Sequence, residues 1–422
     1  MSAELKRQYK RPFKAIHPLR FTRGAAFILL LALCFGMAKA ETPPYTITAD
    51  FPGANIHVEA ISEDVVRLAP DLRDTEGWWF YWSFKMSGVP AGHTLRFDFG
   101  ERNPIGVLGP AVSTDDGASW AWLGKEVISG AAFTYTFTDA PSTWFSYTIP
   151  YVEKDLRAFL DKHDFSPPLI EEELCLSKKG RSVEALRIPC NHDAPRCRVL
   201  FTVRHHACET MASFVLEGIL ESLLSDNPCG AWFRHNVEVL AIPFMDKDGV
   251  EAGDQGKNRI PYDHNRDYDA ESIYPETAAL KTRVEAWSEG LLRVAMDLHC
   301  PYIRGYRNEE LYIVGSEDAA KWEAEQHLGR ILEEINDSPL PYSAANNIPF
   351  GVDWNKPGSY SKGLSFSRWV KSLPGVSIGA AMEIPYAYVE GATMTEERAR
   401  SFGTVILRAL RRYLIETESL PE

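Results

Sequence analysis

Residues 203–210 read Val-Arg-His-His-Ala-Cys-Glu-Thr, and the rest of the chain is organised around this stretch. An apolar run at 199–203 precedes it, and apolar residues recur at helical spacing over 211–224. This pattern predicts a buried strand, a turn and a helix. His206 and Glu209 stand three residues apart at the turn, so an imidazole nitrogen and a carboxylate oxygen can close on one cation, as zinc sites require. The carboxyl end of a strand leaves such a site open to substrate.

A His-x-x-Glu pattern alone is a weak signal, because chance matches are common in a chain of 422 residues. Its alternative interpretation is a polar turn with a solvated Glu. The polar residues that follow in order strengthen the metal hypothesis. They are Asp248-Gly249-Val250, Arg259, Asp263-His264-Asn265-Arg266, Asp297-Leu298-His299 and Met382-Glu383-Ile384-Pro385-Tyr386.

This succession resembles the zinc metallocarboxypeptidases, and within them the branch that contains the cytosolic carboxypeptidases. The resemblance implies one Zn²⁺ in the catalytic domain and hydrolysis of the C-terminal peptide bond of peptides or proteins. It makes His206, Glu209 and His299 the zinc ligands, with a fourth position left for water. Glu383 matches the general base that takes a proton from this water and passes it to the leaving amine. Arg259 matches the residue that polarises the scissile carbonyl.

Further residues match the parts of the family's site that bind substrate and orient the ligands. Asn265 and Arg266 stand where the family's clamp for the terminal carboxylate stands, and a planar guanidinium suits a carboxylate better than an ammonium does. Asp263 resembles the acid that bonds the first zinc histidine and fixes its tautomer. His205 is a rival for His206 as a ligand, but the motif's spacing favours His206 and predicts a packed neighbour at position 205.

Two positions extend the resemblance to the specificity pocket. Tyr360 precedes Glu383 by 23 residues, close to where the family places a Tyr that closes over the substrate. Arg368 would lie near the pocket wall, with Lys371 close by. A basic residue there would favour an acidic C-terminal side chain through charge pairing. A surface position for Arg368 is the alternative.

The first forty residues differ from the rest. Seven basic residues precede the apolar run at 25–37, which ends in Ala38-Lys39-Ala40. This pattern is typical of a secretory signal peptide over residues 1–40 and predicts export to a periplasm or the exterior. The run has 13 residues, short of the ~20 that a membrane-spanning helix needs, so no stable membrane span is expected after processing. A membrane anchor at 25–37 is the alternative.

Charge and cysteine content limit the partners and the kinds of metal or disulfide site that the chain can have. The net charge of −13 becomes −20 without residues 1–40, and so acidic a surface makes nucleic acid an improbable partner. Six cysteines follow position 40 without a Cys-x-x-Cys pair, which argues against a structural zinc site. In an exported protein Cys190 and Cys197 are the best disulfide candidates, since turn residues separate them. Cys208 and Cys300 lie beside predicted ligands and are interpreted as packing residues, with ligation as the alternative.

The rhythm of apolar residues changes near position 152. Alternation with period two and repeated turn residues predict a small antiparallel β-sandwich for residues 41–152. Strands alternate with helical segments over 153–422, which predicts an α/β fold with a mixed, mostly parallel sheet flanked by helices, the catalytic domain of the family. The aromatic cluster at 78–82 is interpreted as core and interdomain packing, with a sugar-binding face as the alternative.

Two other functions remain open at this stage. The first is a zinc amidase on the same scaffold that cuts cell-wall peptides or N-acyl amino acids. The second is a ligand-binding protein that has lost turnover, although the intact set of predicted ligands, base and clamp argues against it. The natural substrate and the oligomeric state do not follow from the sequence.

Overall fold

Two architectures follow each other along the chain in the computed structural model, which describes residues 45–163, 169–192, 194–269 and 271–421. Only β-strands and one short 3₁₀ turn occur before α1 in these residues, and strands alternate with helices after it. Both parts belong to one compact unit. We therefore propose the boundary near residue 152 as a change of architecture rather than as a separation of two bodies.

The N-terminal part is a sandwich of two five-stranded sheets. Their orders are β1-β4-β10-β6-β7 and β2-β3-β5-β9-β8. All neighbours are antiparallel except β3 and β5, which run parallel. The strands are β1 Thr46–Thr48, β2 His57–Ile61, β3 Val65–Ala69, β4 Ser83–Ser87, β5 Thr94–Asp98, β6 Ala111–Ser113, β7 Ala121–Trp122, β8 Ile128–Ser129, β9 Ala132–Thr136 and β10 Ser142–Ser146.

Aromatic rings fill the space between these two sheets. Phe84 and Phe145 come from one sheet and Phe97 and Phe133 from the other, and all four are fully buried. The ring centroids of Phe97 and Phe133 lie 4.7 Å apart, and those of Phe84 and Phe145 lie 5.4 Å apart. Such ring pairs add packing energy beyond the apolar area that they bury.

Strand β4 begins only at Ser83, after the aromatic cluster at 78–82. Within this cluster, Phe80 packs on Tyr386 of the second part of the chain, whereas Trp82 packs on Phe133 inside the sandwich. Phe80 and Trp82 are fully buried, which fits the packing interpretation of the cluster. Trp79 remains half-buried and stacks on Phe80 with a centroid distance of 4.9 Å.

The second part of the chain is built on a seven-stranded sheet of order β11-β12-β14-β13-β15-β17-β16, with a small hairpin, β18-β19, beside it. Its strands are β11 Ile170–Leu176, β12 Ser182–Ile188, β13 Cys197–Val203, β14 Val237–Ile242, β15 Leu292–His299, β16 Tyr312–Val314, β17 Ile378–Glu383, β18 Tyr388–Val389 and β19 Ala392–Thr393. The helices are α1 Glu153–Lys162, α2 Met211–Leu224, α3 Pro228–Asn236, α4 Lys247–Ala252, α5 Pro275–Ser288, α6 Ala319–Ile335, α7 Phe366–Val370 and α8 Glu396–Glu418.

The central strands β14, β13, β15 and β17 run parallel, and the outer strands pair antiparallel. Every residue of β13 and β14 is buried, as expected for strands covered on both faces. Helix α2 is apolar almost all round and packs closely on α8, where a Cβ added at Gly218 would lie 1.9 Å from Arg400 O. The predicted α/β fold with a mixed sheet and an N-terminal β-rich part is confirmed.

The predicted disulfide between Cys190 and Cys197 is not present, and the six cysteines of the described residues are free thiols. Cys197 starts β13 and points into the core, where it is fully buried. Cys190 directs its thiol to His235 O, 3.1 Å away. The turn between the two cysteines therefore does not bring their sulfur atoms together.

Candidate active site

Three neighbouring parallel strands bring the predicted site residues to one edge of the sheet. Val203, the last residue of β13, pairs with Leu298 of β15, and His299 at the end of β15 pairs with Glu383 at the end of β17. Carboxyl ends of parallel strands meet at the same edge, where open α/β sheets bind their ligands. The residues of the 203–210 turn reach the same edge, since they follow β13 directly.

Arg204 shapes the turn after β13. It has a positive φ of 63° and is buried, and its guanidinium donates to carbonyl oxygens instead of pairing with a carboxylate. Nε donates to Ala207 O at 3.0 Å, and Nη1 donates to Tyr151 O at 2.8 Å. The Arg204 side chain therefore holds the shape of this turn.

The three predicted zinc ligands lie together. His206 Nδ1 is 2.8 Å from Glu209 Oε1, and His299 Nδ1 is 2.7 Å from Glu209 Oε2. Each of the three side chains is almost completely buried. One donor atom from each lies within 4.8 Å of the other two, so a single small cation can touch all three.

Zinc fits this donor set. Two imidazole nitrogens and one carboxylate are typical ligands of a catalytic zinc. Burial opposes charge on Glu209, but the two imidazoles lower the pKa of this carboxyl below its ordinary value. Burial also opposes charge on His299, whose pKa Asp297 and Glu209 raise well above its ordinary value. A bound cation would take the place of the protons that these groups share.

Two carboxylates lie behind the imidazoles. Asp263 Oδ1 lies 3.6 Å from His206 Nε2, which is the position predicted for it. Asp297 Oδ2 lies 2.5 Å from His299 Nε2, behind the second imidazole. No role was predicted for Asp297 from the sequence. The signal was present, because residues i and i+2 of a strand point to the same face and Asp297 stands two before His299.

A second possible ligand group, His205, Asp297 and His299, overlaps the first. His205 already uses both ring nitrogens, since Nδ1 lies 2.7 Å from Asp297 Oδ1 and Nε2 lies 2.7 Å from Tyr268 OH. Burial lowers the pKa of His205, although Asp297 opposes this effect. These contacts fit the packed position expected for His205 and favour His206 as the ligand.

Glu383 lies at the rim of this group. Its side chain is 7% exposed, and its Oε2 has no hydrogen-bond partner among the described residues. Burial raises the pKa of Glu383 to about 7, although His299 opposes the rise. A carboxyl group that exchanges its proton near neutral pH beside an open coordination position is suited to general acid–base chemistry.

Asn265 and Arg266 also reach the site. Asn265 Nδ2 lies 3.1 Å from His299 Nε2, and its Oδ1 accepts a bond of 3.0 Å from Phe366 N. Arg266 Nη1 donates to Asn265 O at 2.7 Å and Nη2 donates to Ser359 O at 2.9 Å. The Arg266 guanidinium carries no carboxylate partner within 4.0 Å among the described residues, so its charge is available to an anion.

Tyr360 connects Arg266 to the predicted specificity pocket. The guanidinium carbon of Arg266 lies 5.2 Å from the centre of the Tyr360 ring, and that of Arg368 lies 4.6 Å from it. Arg368 and Lys371 line a cavity of about 370 Å³ together with Ser316, Glu317, Asp318, Lys321, Leu364 and Ser372. Arg368 is therefore not an isolated surface residue, although its Nη2 already pairs with Glu317 at 2.6 Å.

Arg259 does not join this group. Its Nη1 lies 2.9 Å from Asp74, and its Nη2 lies 2.8 Å from Asp246 and 3.0 Å from Asp254. Burial lowers the pKa of Arg259, but the three carboxylates raise it above the ordinary value. Because both terminal nitrogens are occupied, the expected role of Arg259 at the substrate carbonyl does not match this position. The cation at the ligands is instead Lys257, whose Nζ lies 3.3 Å from His206 Nδ1.

Cys208 and Cys300 are both buried beside the ligands. The Cys208 thiol lies 3.7 Å from Tyr386 OH. Burial raises the pKa of Cys208 to about 12, so the thiol stays protonated near neutral pH. Neither cysteine belongs to the possible ligand groups of the described residues, in agreement with the packing interpretation.

The overall fold is similar to that of solved metallocarboxypeptidases. A metallo-carboxypeptidase from Burkholderia cenocepacia superposes with a TM-score of 0.72 at 19% identity, over 88% of this chain and 100% of that one. A metallo-carboxypeptidase from Pseudomonas aeruginosa, solved with (2-guanidinoethylmercapto)succinic acid, gives a TM-score of 0.66 at 20% identity, over 88% and 99% of the two chains. The fold is thus that of the metallocarboxypeptidase class.

Residues 160–285 match the zinc carboxypeptidase family, peptidase M14. Cytosolic carboxypeptidase 2 of Xenopus tropicalis is 23% identical over 386 residues, which cover 80% of this chain and 37% of that protein. Cytosolic carboxypeptidase 6 of Caenorhabditis elegans is 23% identical over 280 residues, which cover 60% and 61%. The match places a peptidase M14 zinc carboxypeptidase domain over residues 160–285, in agreement with the family resemblance seen in the sequence.

The chain spans little more than a third of the frog relative and 28% of the mouse cytosolic carboxypeptidase 3. The predicted export is wrong, because the matched relatives are cytosolic carboxypeptidases. The segment that carried this prediction, residues 1–40 with the alternative anchor at 25–37, lies outside the described residues. Within the described part of the chain, no helix combines the length and apolarity needed to cross a membrane.

Proposed function

We propose that the chain is a zinc-dependent carboxypeptidase that releases the last residue of peptides or proteins. The observation that carries this proposal is the convergence of His206, Glu209 and His299 around one point, with Glu383 beside them. The family match supports zinc as the metal. When bound, zinc lowers the pKa of water and polarises a carbonyl oxygen.

The residues of the chain would then hold the reactants and move one proton. Glu383 takes a proton from the attacking water and gives it to the nitrogen of the leaving amino acid, so that the amide bond breaks and a free amine leaves. Its burial and its free Oε2 suit this role, since neither a strong hydrogen bond nor bulk water holds the proton on one side. Asp263 and Asp297 keep the two imidazoles oriented.

Recognition of the chain end would fall to Arg266 and Asn265. The guanidinium of Arg266 has no competing carboxylate, and it is held in place by two backbone carbonyls and by the ring of Tyr360. A fork of two N–H donors fits a terminal carboxylate. The same contacts favour an exopeptidase over an endopeptidase. A substrate chain that continues beyond the residue next to Arg266 offers no terminal carboxylate to this guanidinium.

Peptides with free and amidated C-termini test the proposal. The chain loaded with zinc is expected to release the last residue from the free acid, and to act on the matching C-terminal amide at least 100-fold more slowly, because Arg266 is then left without an anion. Release is followed by amino-acid analysis or mass spectrometry. Equal cleavage of acid and amide, or cleavage only at internal bonds, would contradict the exopeptidase proposal.

We also propose a preference for an acidic last residue. Lys321, Arg368 and Lys371 line the 370 Å³ cavity against Glu317 and Asp318, so the lining carries one net positive charge. The Glu317 side chain that pairs with Arg368 is 64% exposed and can turn into solvent when a substrate carboxylate enters. The substrate carboxylate then replaces the Glu317 carboxylate as the partner of Arg368, with little loss of free energy.

Matched peptides ending in Glu, Lys or Phe test this preference. The ratio of kcat/KM for Glu over Lys is expected to be about fivefold, and Arg368→Ala is expected to lower that ratio toward one, because a partly exposed charge pair contributes about 1 kcal/mol. Lys178→Ala, which removes a lysine outside this cavity, serves as the control. A preference for Lys in the unaltered chain would refute the acidic specificity.

Neither alternative function gains support. Export, which would have favoured a cell-wall amidase, is contradicted by the relatives. The inactive binding protein would have a broken set of site residues, whereas His206, Glu209, His299 and Glu383 are all present and adjacent.

A further inference from the structure

Lys257 places a positive charge on the proposed metal ligands. Its Nζ lies 3.3 Å from His206 Nδ1, and this nitrogen is the one that faces Glu209 Oε1 at 2.8 Å. The ammonium is therefore on the side of the imidazole where a metal would bind, and not on the side of Asp263, which faces Nε2. The positive charge of Lys257 also favours the ionised form of Glu383.

The ammonium of Lys257 has no acidic partner to hold it elsewhere. No carboxylate of the described residues lies within 4.0 Å of its Nζ. Its other neighbour is the ring of Trp79, whose centre is 6.0 Å away. A lysine on a flexible stem whose charge is unpaired can donate hydrogen bonds to an oxygen that arrives beside it.

The backbone fixes the base of this side chain against the ligand turn. Gly256 has a φ of +72°, and a Cβ added there would lie 2.1 Å from Ala207 N. Cys208 N donates to Gln255 O at 3.2 Å. The segment that carries Lys257 thus packs directly on the turn that carries His206 and Glu209, so the lysine is placed by close backbone contact and not by a long free loop.

Arg259 pairs with three carboxylates away from the proposed metal ligands. Asp74 belongs to the N-terminal part of the chain, whereas Asp246 and Asp254 flank α4. Such a desolvated cluster is costly to break, because removing one partner leaves a buried charge unpaired. Arg259 therefore joins the two parts of the fold, and its guanidinium is not free to approach a substrate.

We propose that Lys257, and not Arg259, stabilises the negative charge that develops on the scissile carbonyl oxygen. This inference rests on the proposed carboxypeptidase function. Lys257 only donates hydrogen bonds to the oxygen. The water adds to the carbonyl carbon, the C–N bond breaks, and the proton passes through Glu383 to the amine. A preorganised cationic donor of this kind acts on the transition state more than on the bound substrate.

The test uses Lys257→Ala, Lys257→Gln and Lys257→Arg in the full chain loaded with zinc. We expect the first two variants to lose about 10²–10³-fold in kcat, as removal of one oxyanion donor does elsewhere, with KM changed by less than about threefold. A peptide phosphonate, which imitates the tetrahedral transition state, is expected to bind more weakly by a similar factor, while binding of the cleaved product hardly changes. Lys257→Arg is expected to recover part of both losses.

Zinc content, unfolding temperature and the control Lys178→Ala complete the comparison. Lys178 lies over the Tyr274 ring, with its Nζ 4.4 Å from the ring centre, and is not part of the proposed machinery. The inference is wrong if Lys257→Ala and Lys257→Gln keep phosphonate affinity, if either loses its zinc, or if Arg259→Lys loses phosphonate affinity instead. Failure of the unaltered chain to cleave any C-terminal peptide would refute the proposed function itself, and this inference with it.

Discussion

Replacing Glu383 with Gln is expected to lower kcat by about 10²–10⁴-fold while zinc stays bound. Gln has the shape of Glu but cannot accept a proton, so the substitution removes only the proposed base. The site should keep its geometry, because Glu383 Oε2 makes no hydrogen bond to the described residues that the change would break. The measurement is kcat and KM on a peptide with a free C-terminus, together with zinc per chain.

Glu217→Gln is the matched control for this experiment. Glu217 is also buried, but it bonds to Tyr151 OH and Arg400 and belongs to neither possible ligand group of the described residues, so its substitution tests the loss of a buried carboxylate. We expect Glu217→Gln to change stability and to leave kcat within about threefold of the unaltered chain. Retention of more than a tenth of the activity by Glu383→Gln would remove Glu383 from the mechanism.

Replacing His299 with Ala is expected to abolish stable zinc binding and, with it, turnover. His299 supplies one of three protein donors and contacts both Glu209 and Asp297, so its loss opens the donor set and removes the partner of two buried carboxylates. Asp297→Asn should have a graded effect and weaken zinc binding by about 10–100-fold, because this residue orients an imidazole without touching the metal. Zinc affinity is measured by competition with a chelator of known affinity.

The same assay separates the two possible ligand groups. If zinc is held by His206, Glu209 and His299, then His206→Ala loses it and His205→Gln keeps a site of similar stoichiometry. If His205 is a ligand, the order reverses, because the second group contains His205 and Asp297 in place of His206 and Glu209. Zinc binding by His299→Ala with unchanged affinity would contradict both assignments.

The order of residues in the sequence predicts which side chains meet at the site when each of them ends a parallel strand. His299 and Glu383 could be placed together because each ends a predicted strand of one sheet, and their pairing follows from that topology. A role for Asp297 could have been predicted too, because strand alternation places it on the same face of β15 as His299. The signal is the alternation of side chains between the two faces of β15.

The cation at the site could not be inferred from spacing. Lys257 and Arg259 stand two residues apart in a loop, and the direction of each depends on the positive φ of Gly256 and on acids from distant parts of the chain. Asp74 lies in the N-terminal sheet region, so no local pattern links it to Arg259. Long-range charge pairs of this kind become visible only once the fold brings the segments together.

Short helices could not be predicted from the sequence either. Helices α3, α4 and α7 have between five and nine residues, too few for a clear period of 3.6. The longer helix α2, by contrast, was predicted over 211–224, and the structure places it at Met211–Leu224. Helix boundaries of the elements that frame the site were therefore accessible, whereas the short elements between them were not.

The most direct test of the central claim is a crystal structure of the zinc-loaded chain with anomalous scattering measured on both sides of the zinc absorption edge. We predict one strong peak that lies about 2.0–2.2 Å from His206 Nδ1, His299 Nδ1 and a carboxylate oxygen of Glu209. A peak bounded by His205 and Asp297 instead, or the absence of any peak among these side chains in a chain that still cleaves C-terminal peptides, would contradict the account.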